Sequence, residues 1–416
     1  MASRVSINYK ETGVDVITFA GRYRLGRVQR ADVGANLPNT PVKELGSNKL
    51  VGRIFDLAEV TATVNSFDVG ARTAFTLAGV DWASAASGTR IEAQDIKYVC
   101  LTQTFKGAGT SNDIARTLYI PGAKLERFSY NYSVGGDATE EYSFSAVDRK
   151  FLKYDVAVAS GVVSASGVLT FSPNARVLKN GAYVLSVFAQ GLGYLTQDNI
   201  LASTATSVTL DTTVVAASTP VVVTYHTDLT DQWDYTYEYP HVAPDYTPPP
   251  DQPVGVRGWG VEVYLVQSGQ SNQRVYRAQT CTIQGQYPNT KVQELGNEEI
   301  VGYIDDIPEI TGTLELLQSD FKVQEILSDD ASSTDDNWVP SELGTGRWGL
   351  LVKLFRRGAS RSGAPEKTLW RPALDVTQEQ NQAQVGQDSR VTFNFSSRTN
   401  QLYIYKGAPV GGTLVP

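Results

Sequence analysis

Histidine and cysteine are the residue types that most often carry catalysis or bind metals, and this chain has very few of them. Its 416 residues include two histidines, His226 and His241, and two cysteines, Cys100 and Cys281. The four residues are scattered, whereas a zinc site needs clustered ligands. Two cysteines also cannot make a disulfide scaffold. We therefore predict no bound metal, no cofactor and no active site based on histidine or cysteine.

Carboxylates are the remaining groups that could bind a metal or transfer protons. Asp305, Asp306 and Glu309 lie close together, and acidic pairs occur at 329–330 and 335–336. Neither group has the spacing, the central glycine and the terminal glutamate of a calcium loop. A glycosidase-type carboxylate pair is left open by the sequence. Because phosphate-loop, dinucleotide, nucleophile-elbow and zinc-protease motifs are absent from the sequence, an enzyme is the least favoured class.

The composition indicates a folded chain with real hydrophobic cores. Apolar residues make up 41% of the chain and charged residues 19%, which is too apolar for a disordered protein. The net charge of −8 comes mostly from residues 155–255, and it excludes a chain-wide basic surface for nucleic acid. The sequence predicts neither a signal peptide nor a membrane span. We therefore expect a protein that is made and kept in a cytoplasm.

An internal repeat organises the chain. Residues 38–63 and 288–313 align without a gap at an offset of 250, with 14 identities in 26 positions. Further matches at an offset of 251 extend the repeat as far as Tyr154 and Tyr405. A shared local turn would not keep its spacing over such a distance, so we infer a duplication. The identities that open the repeat are Pro38/Pro288, Asn39/Asn289, Thr40/Thr290, Glu44/Glu294, Leu45/Leu295 and Gly46/Gly296.

The duplication divides the chain into three predicted parts. Residues 1–154 and 256–416 form two homologous units, and residues 155–255 form an unrepeated insert. Short β-branched runs in 155–227, with Asn180-Gly181 between two of them, predict a small β-rich domain. The tyrosines and the run of three prolines in 228–255 predict an extended tether.

Each unit is predicted to be a mainly β barrel or sandwich with one short helix. Glu309, Thr311 and Glu315 alternate with apolar residues, and Glu59 and Thr61 do the same in the first copy. This period of two predicts a half-buried strand with a polar outer face. A short helix is predicted after it in each unit, at 68–77 and 320–328. Further strands are predicted at 96–105, 125–133, 140–147, 349–356, 374–380 and 390–396.

The repeated segments 34–53 and 284–303 are predicted to be long ordered loops, because they contain proline, asparagine and glycine and few core residues. Loops usually vary most, so the retention of the same residues in both copies needs a reason. One reading is structural, in which the glycine pairs Gly46/Gly296 and Gly52/Gly302 supply turns with positive φ. The other is that both loops make the same intermolecular contact.

These features resemble those of the tail tube proteins of long-tailed bacteriophages, in the form that carries two tube domains in one chain. The resemblance rests on Pro-x-x-x-Val-x-Glu-Leu-Gly, followed by Val-Gly-x-Ile-x-Asp, Glu-(Val/Ile)-Thr-x-Thr, a helix and later strands. It covers both units. It implies two tail-tube-like units and an inserted β-rich domain, in trimeric, pseudo-hexameric rings. The rings would stack into a conduit for DNA during ejection.

The resemblance also implies roles for the repeated residues. The candidates for contact between stacked rings are Pro38, Asn39, Thr40, Glu44, Leu45 and Gly46, with Pro288, Asn289, Thr290, Glu294, Leu295 and Gly296. The candidates for the lumen are Glu59, Thr61, Glu309, Thr311 and Glu315, where carboxylates would repel DNA phosphates. The insert is expected to project outside the tube.

The expected partners are further copies of the chain and other tail proteins, such as the tape measure, terminator and distal tail components. DNA is expected only in transit, and no membrane is expected. The expected location is the virion tail, assembled in the host cytoplasm. Another virion β-protein (a tail hub, tail terminator or capsid decoration protein) is an open alternative. A carbohydrate-binding adhesin is a second one, because the tyrosines of 233–246 could stack on sugars.

Overall fold

The computed structural model is mainly β-strand, which confirms the predicted fold class. It describes residues 12–410 and Leu414, apart from a set of gaps. The residues outside the described set are 1–11, 19–20, 37–38, 44–49, 56–58, 69, 83, 97, 107–113, 147, 154, 172–173, 191, 196, 228–255, 268–271, 294–299, 318–321, 329–347, 356–359, 384–387, 411–413 and 415–416.

The first unit contains strands and one short α-helix in an order that the second unit repeats. Its strands are β1 (Thr12–Thr18), β2 (Gly21–Arg24), β3 (Val28–Asn36), β4 (Asn39–Lys43), β5 (Leu50–Phe55), β6 (Glu59–Phe67), β7 (Arg90–Glu92), β8 (Tyr98–Lys106), β9 (Ile114–Ser133), β10 (Thr139–Ala146) and β11 (Lys150–Lys153). Helix α1 (Arg72–Leu77) lies between β6 and β7 and buries Ala74, Phe75 and Leu77.

The insert and the second unit follow. The insert contains β12 (Val156–Val162), β13 (Val168–Thr170), β14 (Val184–Ala189), β15 (Gly193–Leu195), β16 (Ile200–Ser203), β17 (Ser207–Leu210) and β18 (Pro220–His226). The second unit contains β19 (Val261–Gln267), β20 (Gln273–Arg274), β21 (Ala278–Gln286), β22 (Asn289–Gln293), β23 (Ile300–Asp305), β24 (Glu309–Leu317), β25 (Trp348–Leu354), β26 (Lys367–Arg371), β27 (Leu374–Gln382), β28 (Arg390–Ser397) and β29 (Tyr403–Lys406). Helix α2 (Lys322–Ser328) lies between β24 and β25, so one short helix per unit is confirmed.

Each unit is a sandwich of two antiparallel sheets around a hydrophobic core. In the first unit one sheet has the order β3-β6-β10-β9, and we call it the inner sheet. The other sheet has the order β2-β1-β8-β9-β11, and we call it the outer sheet. The 20-residue strand β9 belongs to both sheets. It bends at Gly122, whose φ of 55° is the left-handed conformation that glycine adopts without strain. No sheet closes into a barrel among the described strands, so of the two predicted architectures the sandwich is confirmed.

The second unit repeats this pattern down to its irregularities. Its inner sheet is β21-β24-β28-β27, and its outer sheet contains β20-β19-β25-β26-β29. Arg27 and Arg277 both have positive φ, and β3 and β21 each carry a bulge two residues later. The long strand is divided here into β26 and β27 by Pro372 and Ala373, and Ala373 has a φ of 51°. Equivalent strands can therefore be compared residue by residue.

The register corrects one match made from the sequence. Lys153 lies opposite Arg116 in the first unit, and Lys406 lies opposite Lys367 in the second. Lys153 is therefore the structural counterpart of Lys406. It follows that Tyr405 corresponds to a residue of β11 and not to Tyr154, because the connection before β29 is two residues longer.

The prediction of long loops at 34–53 and 284–303 is wrong for most of their length. β4 pairs with β5 and β22 pairs with β23, so each segment forms a separate antiparallel hairpin. A two-stranded ribbon pairs the backbone groups that face its partner strand and leaves the others to water, so it needs no buried face. Residues that are poor in core side chains can therefore still be strands, and composition alone did not reveal this.

The insert is a small β-sandwich that lies against the outer sheet of the first unit. Its four-stranded sheet β12-β18-β14-β15 faces the three-stranded sheet β13-β17-β16 across an apolar core. The other side of the four-stranded sheet packs on the outer sheet of the first unit, where Ile17, Cys100 and Tyr119 contact Leu185 and Phe188. The insert therefore lies on the side away from the inner sheet. The predicted tether, with His241, lies outside the described residues.

A buried arginine distinguishes the core of the second unit from that of the first. Arg371 is fully buried, and it donates one hydrogen bond to the carbonyl of Ile310. Its Nε and Nη1 atoms have no hydrogen-bond partner in the part of the chain that the structure describes. Burial lowers the pKa of this guanidinium to about 9. At an offset of 251 the first unit has Ile120 at the same place, which is also buried.

Arg371→Ile is expected to stabilise the chain. The charged guanidinium opposes folding below pH 9, and this opposition is relieved as the pH rises toward the ordinary arginine pKa. Replacing a buried, incompletely paired charge by an apolar side chain is often stabilising, by about 1–4 kcal/mol. The free energy of unfolding at pH 7, measured by chemical denaturation, should therefore rise. A fall of more than 1 kcal/mol would contradict this account of Arg371.

Candidate functional site

The inner sheets of the two units join into one continuous sheet. The C-terminal half of β9 pairs antiparallel with β21, from Thr280 opposite Ser133 to Gln286 opposite Arg127. The resulting order is β3-β6-β10-β9-β21-β24-β28-β27, which is eight strands in a single chain. The second unit thus continues the sheet of the first, through seven paired residues on each strand.

The buried side of this junction is aromatic on one strand, and it carries a glycine and an isoleucine on the other. Phe128 and Tyr130 of β9 lie opposite Gly285 and Ile283 of β21, and all four are buried. A side chain at position 285 would begin 2.1 Å from the ring of Phe128, so this position requires glycine. The two units therefore share one hydrophobic core across the junction.

A buried ionic cluster closes the junction behind the aromatic residues. Lys367 of the second unit donates hydrogen bonds to Asp68 (Nζ to Oδ1, 2.9 Å) and Glu140 (Nζ to Oε2, 3.3 Å) of the first unit. All three side chains are at most 1% exposed. Burial alone would lower the pKa of Lys367, but the adjacent carboxylates raise it above its ordinary value. Burial raises the pKa of Glu140, although Lys367 opposes this effect.

Three buried tyrosines surround this cluster. The hydroxyl of Tyr132 donates to Asp68 at 2.7 Å, the hydroxyl of Tyr142 donates to Glu140 at 3.2 Å, and the hydroxyls of Tyr130 and Tyr142 are 2.8 Å apart. Burial raises the pKa of all three phenols above the ordinary value. In the folded chain each tyrosine therefore stays neutral to a higher pH than it does in the unfolded chain.

The chain is expected to lose stability steeply above pH 10. The unfolded chain releases the phenolic protons near pH 10, whereas the folded chain retains them to higher pH, so the free energy of unfolding falls as the pH rises. Each tyrosine contributes up to about 1.4 kcal/mol per pH unit. Urea unfolding at pH 8, 9, 10 and 11 would measure the slope. Tyr142→Phe should make the slope shallower, and an unchanged slope in this variant would contradict the assignment.

The joined sheet ends in two edge strands, β3 and β27. They are the structural counterparts of β21 and of the C-terminal half of β9, which pair with each other inside the chain. β3 has the position in the first unit that β21 has in the second, and it pairs only with β6 among the described strands. β27 has the position of the C-terminal half of β9, and β28 is the single described strand that pairs with it. Edge strands invite pairing with another chain. The two open edges, β3 and β27, are therefore the counterparts of the two strands, β21 and β9, that form the internal junction.

The exposed face of the joined sheet is polar and nearly neutral. Hydroxyl and amide side chains bridge its strands, as between Thr313 and Asn394 (3.0 Å) and between Asn394 and Gln378 (2.9 Å). Most charges are paired on the face itself, including Arg127–Glu141 (3.3 Å), Arg390–Glu315 (2.5 Å) and Arg30–Asp32. The face thus offers many hydrogen-bonding groups and little net charge.

The five lumen candidates lie on this face. Glu59, Thr61 and Glu309 are exposed, and Thr311 and Glu315 are half-buried, in the alternating pattern that the sequence predicted. Glu315 is neutralised by its ion pair, whereas Glu59 and Glu309 have no ion-pair partner among the described residues. Their place in a lumen stays a prediction.

The candidates for contact between rings lie on the two hairpins, as far as they are described. Asn39 and Thr40 are in β4, Asn289 and Thr290 are in β22, and Pro288 precedes β22. Near the β22–β23 hairpin, Ile304 is 63% exposed and Ile307 is 76% exposed. Exposed apolar side chains in β23 and just after it suit a contact with another molecule. The candidates outside the described residues are Pro38, Glu44, Leu45, Gly46, Glu294, Leu295 and Gly296.

One of these hairpins is anchored where the two units meet. Lys124 of β9 forms an ion pair with Asp305 at the end of β23, and its ammonium lies 4.8 Å from the ring centroid of Tyr303. The ring of Tyr98 in β8 is 5.9 Å from that of Tyr303. These contacts fix the base of the hairpin relative to the sheet. The orientation of its exposed isoleucines is therefore set by the first unit.

The cysteines and His226, which could in principle carry chemistry, are buried or hydrogen-bonded within the fold. Cys100 and Cys281 are free thiols buried in β8 and β21, and His226 contacts the carbonyl of Lys153 at 2.5 Å. Within the described ranges, no group of three or more histidine, cysteine or acidic residues is placed to hold a metal ion. No helix in these ranges is long and apolar enough to cross a membrane.

Comparisons with known proteins give weak structural similarity and no match in sequence. No family model matches the chain. No curated protein matches it. A chain in the cryo-EM structure of the anti-feeding prophage (AFP) baseplate, 6-fold symmetrised, is similar to it, with a TM-score of 0.26 and 10% sequence identity. The match covers 36% of this chain and 97% of that chain. The similarity is thus to a component of a phage-like particle, and it is too weak to carry an argument about function.

Sequence reasoning missed the residues that hold the junction together. Lys367, Asp68 and Glu140 are far apart in sequence, and none belongs to a recognised motif. A signal was present in the repeat for Glu140, because Val391 stands at its counterpart position at the offset of 251, whereas Arg116 keeps the positive charge of Lys367. A charged residue that is apolar in the other aligned copy points to a contact that only one copy makes.

Proposed function

We propose that this chain is a structural virion protein that assembles head to tail into rings, and that the rings stack into a phage tail tube. The observation that carries the proposal is the β9–β21 junction together with its two open counterparts. β27 of one copy would pair with β3 of the next, in the same way that β9 pairs with β21 inside the chain. Such a heterologous contact is propagated around a ring.

The register of the internal junction defines the proposed one. The offset of 250 relates β3 to β21, and the offset of 251 relates β9 to β27. Ala35 would therefore lie opposite Glu379, and Val33 would lie opposite Asn381. These positions correspond to Gly285 opposite Phe128 and Ile283 opposite Tyr130. The proposed junction therefore has polar residues where the internal one is aromatic. Polar side chains on an open edge keep a free chain soluble until it is paired.

The size of the sheet favours three chains in a ring. Strands lie about 4.8 Å apart, so three chains with about 24 strands would form a ring about 37 Å in diameter at the backbone, before strand tilt widens it. Side chains of about 6 Å on each side would leave a bore of about 25 Å, which is wide enough for a DNA duplex. Two chains would give a backbone diameter of about 24 Å, and the bore would be too narrow.

The polar inner face suits a conduit for DNA. In this arrangement its hydroxyl and amide groups would line the bore, while the insert would lie on the outside of the ring. A lining with few unpaired cations gives DNA phosphates little to bind, so the duplex could slide. The proposed role is structural and not catalytic, and the proposed location is the virion tail. The partners would be further copies, other tail proteins and DNA in transit.

Electron microscopy of the purified full-length protein tests this function. Hollow tubes with a threefold repeat of the insert on the outside would support it. Closed single rings that never stack would favour a tail hub or terminator. Protein that stays monomeric at every concentration, and also in the presence of preformed tails, would overturn the proposal.

A further inference from the structure

The buried cluster at the junction holds an amine and a carboxyl group in position to react with each other. The Nζ atom of Lys367 lies 2.9 Å from Oδ1 of Asp68, and neither side chain is exposed to solvent. An amine and a carboxyl group form an amide when water is expelled, and burial keeps out the water that would hydrolyse the product. Two groups held in contact react as if each were present at an effective concentration on the order of 10⁵ M or more.

A third group is placed to move protons between them. Oε2 of Glu140 lies 3.3 Å from the same Nζ atom, and it accepts a hydrogen bond from the hydroxyl of Tyr142 at 3.2 Å. The hydroxyl of Ser66 donates to Oε1 at 3.1 Å. Burial raises the pKa of Glu140, which favours the protonated acid that proton transfer requires. This carboxyl group thus contacts the attacking nitrogen and is held in a fixed orientation.

The carboxyl group of Asp68 is oriented from its other side. The hydroxyl of Tyr132 donates to Oδ2 at 2.7 Å. A donor at this oxygen stabilises the negative charge that develops when the carboxyl carbon is attacked. The ring centroid of Tyr130 lies 4.1 Å from Nζ of Lys367. Aromatic side chains therefore enclose the reacting pair.

We infer that Lys367 and Asp68 form an isopeptide bond, an amide between Nζ and Cγ, with Glu140 as the group that transfers protons. The reaction starts from the lysine ammonium, the aspartate anion and protonated Glu140. The ammonium gives one proton to Asp68, and the neutral amine attacks the carboxyl carbon. Glu140 takes a proton from the nitrogen and gives its own to the departing hydroxyl. One C–N bond forms, one C–O bond breaks and one water molecule leaves, so the step needs no oxidant or cofactor.

The aligned positions of the repeat do not carry the same three groups. Where the lysine, the glutamate and the aspartate would be expected, the sequence has Arg116, Val391 and Gln318. A guanidinium stays protonated and therefore does not attack a carboxyl carbon, and valine transfers no proton. The bond would thus form once in each chain, between residues 299 positions apart. It would lock the two units together within the monomer, and its formation would not depend on ring assembly.

Mass spectrometry of the purified full-length protein, unfolded before the measurement, tests the inference. We expect a mass lower than that of the sequence by one water molecule, and digestion should release a branched peptide that joins the segments of Asp68 and Lys367. Lys124 and Asp305 provide the internal control, because they also form an ion pair between the two units but Asp305 is 67% exposed. No branched peptide should join this second pair. A full sequence mass, or a water lost elsewhere in the chain, would overturn the inference.

A conservative variant tests the role of Glu140. Glu140→Gln keeps the size of the side chain and both reacting groups, but it removes the proton transfer. Formation of the bond should slow by about a hundredfold or more, so the freshly purified variant should keep its full mass. Glu141→Gln is the matched control, because Glu141 is the next residue of β10 and pairs with Arg127 on the opposite face. It should form the bond like the unmodified chain. Equal rates in both variants would contradict the role of Glu140.

The outcomes are independent of those that test the proposed function. A branched peptide in a protein that never forms tubes would support the bond and count against the tube. Tubes built from chains of full mass would overturn the bond and leave the proposed function intact.

Discussion

Replacing Ala35 with proline is expected to leave the chain folded and to prevent ring closure. Inside the chain the backbone N–H of Tyr287 donates to the carbonyl of Glu126 in β9. Backbone donors alternate in direction along an antiparallel strand, so the N–H of Gly285 also points toward β9. Ala35 is its counterpart in β3, and its N–H therefore points away from β6 toward the open edge.

Proline at this position removes only a donor that faces outward. Proline is tolerated on an edge strand when its nitrogen faces away from the sheet. The carbonyl of the neighbouring β27 would then be buried without a donor, which costs about 1–3 kcal/mol at each contact between chains. The concentration needed for assembly should rise about tenfold or more, since each 1.4 kcal/mol is a factor of ten. Sedimentation velocity at several concentrations would measure this shift.

A matched variant separates the edge effect from a folding effect. Ala35→Ser keeps the backbone donor and should assemble like the unmodified chain. Thermal unfolding of the monomer should be similar for both variants, because the pairing of β3 with β6 is retained. Assembly of Ala35→Pro at the unmodified concentration would show that β3 is not the edge through which the chain polymerises.

Replacing Lys367 with methionine is expected to destabilise the monomer more than any other single change considered for this chain. The side chain is fully buried between Asp68 and Glu140. Removing one partner of a buried ion pair leaves an uncompensated charge, and this typically costs about 3–5 kcal/mol. Because Lys367 and the two carboxylates belong to different units, the loss should loosen the junction itself. Chemical denaturation at pH 7 would measure the change in the free energy of unfolding.

Two further variants test this explanation. Adding Glu140→Gln to Lys367→Met removes one of the two stranded carboxylates and should recover part of the lost stability. Lys150→Met removes a half-buried lysine whose ammonium lies 3.6 Å from Asp148, and a surface pair of this kind contributes at most about 1 kcal/mol. If Lys367→Met were no more harmful than Lys150→Met, the ionic cluster would not hold the two units together.

Local patterns explain which parts of the structure could be predicted. The alternation around Glu309 and Glu59 predicted the inner strands, because a period of two needs no knowledge of the neighbouring strand. The positions of α1 and α2 followed from an acidic or polar start and buried apolar residues. The hairpins were missed, because their strands bury little and their pairing leaves no compositional signal. The partner of a strand is a long-range property, so the eight-stranded order could not be predicted from local pattern.

The sequence by itself determined that the chain is mainly β, that it contains one unit twice, and that each unit carries a short helix. These properties depend on side-chain periodicity, which is local, and on identities at a fixed offset, which are found by comparing the sequence with itself. Only the tertiary structure decided which strand edges pair inside the chain and which stay open. That choice depends on the contact of Phe128 with Gly285 and of Lys367 with Glu140, between residues more than 150 positions apart. A duplicated sequence offers the same edges twice, and among the described strands the fold pairs one set inside the chain and leaves the other set open.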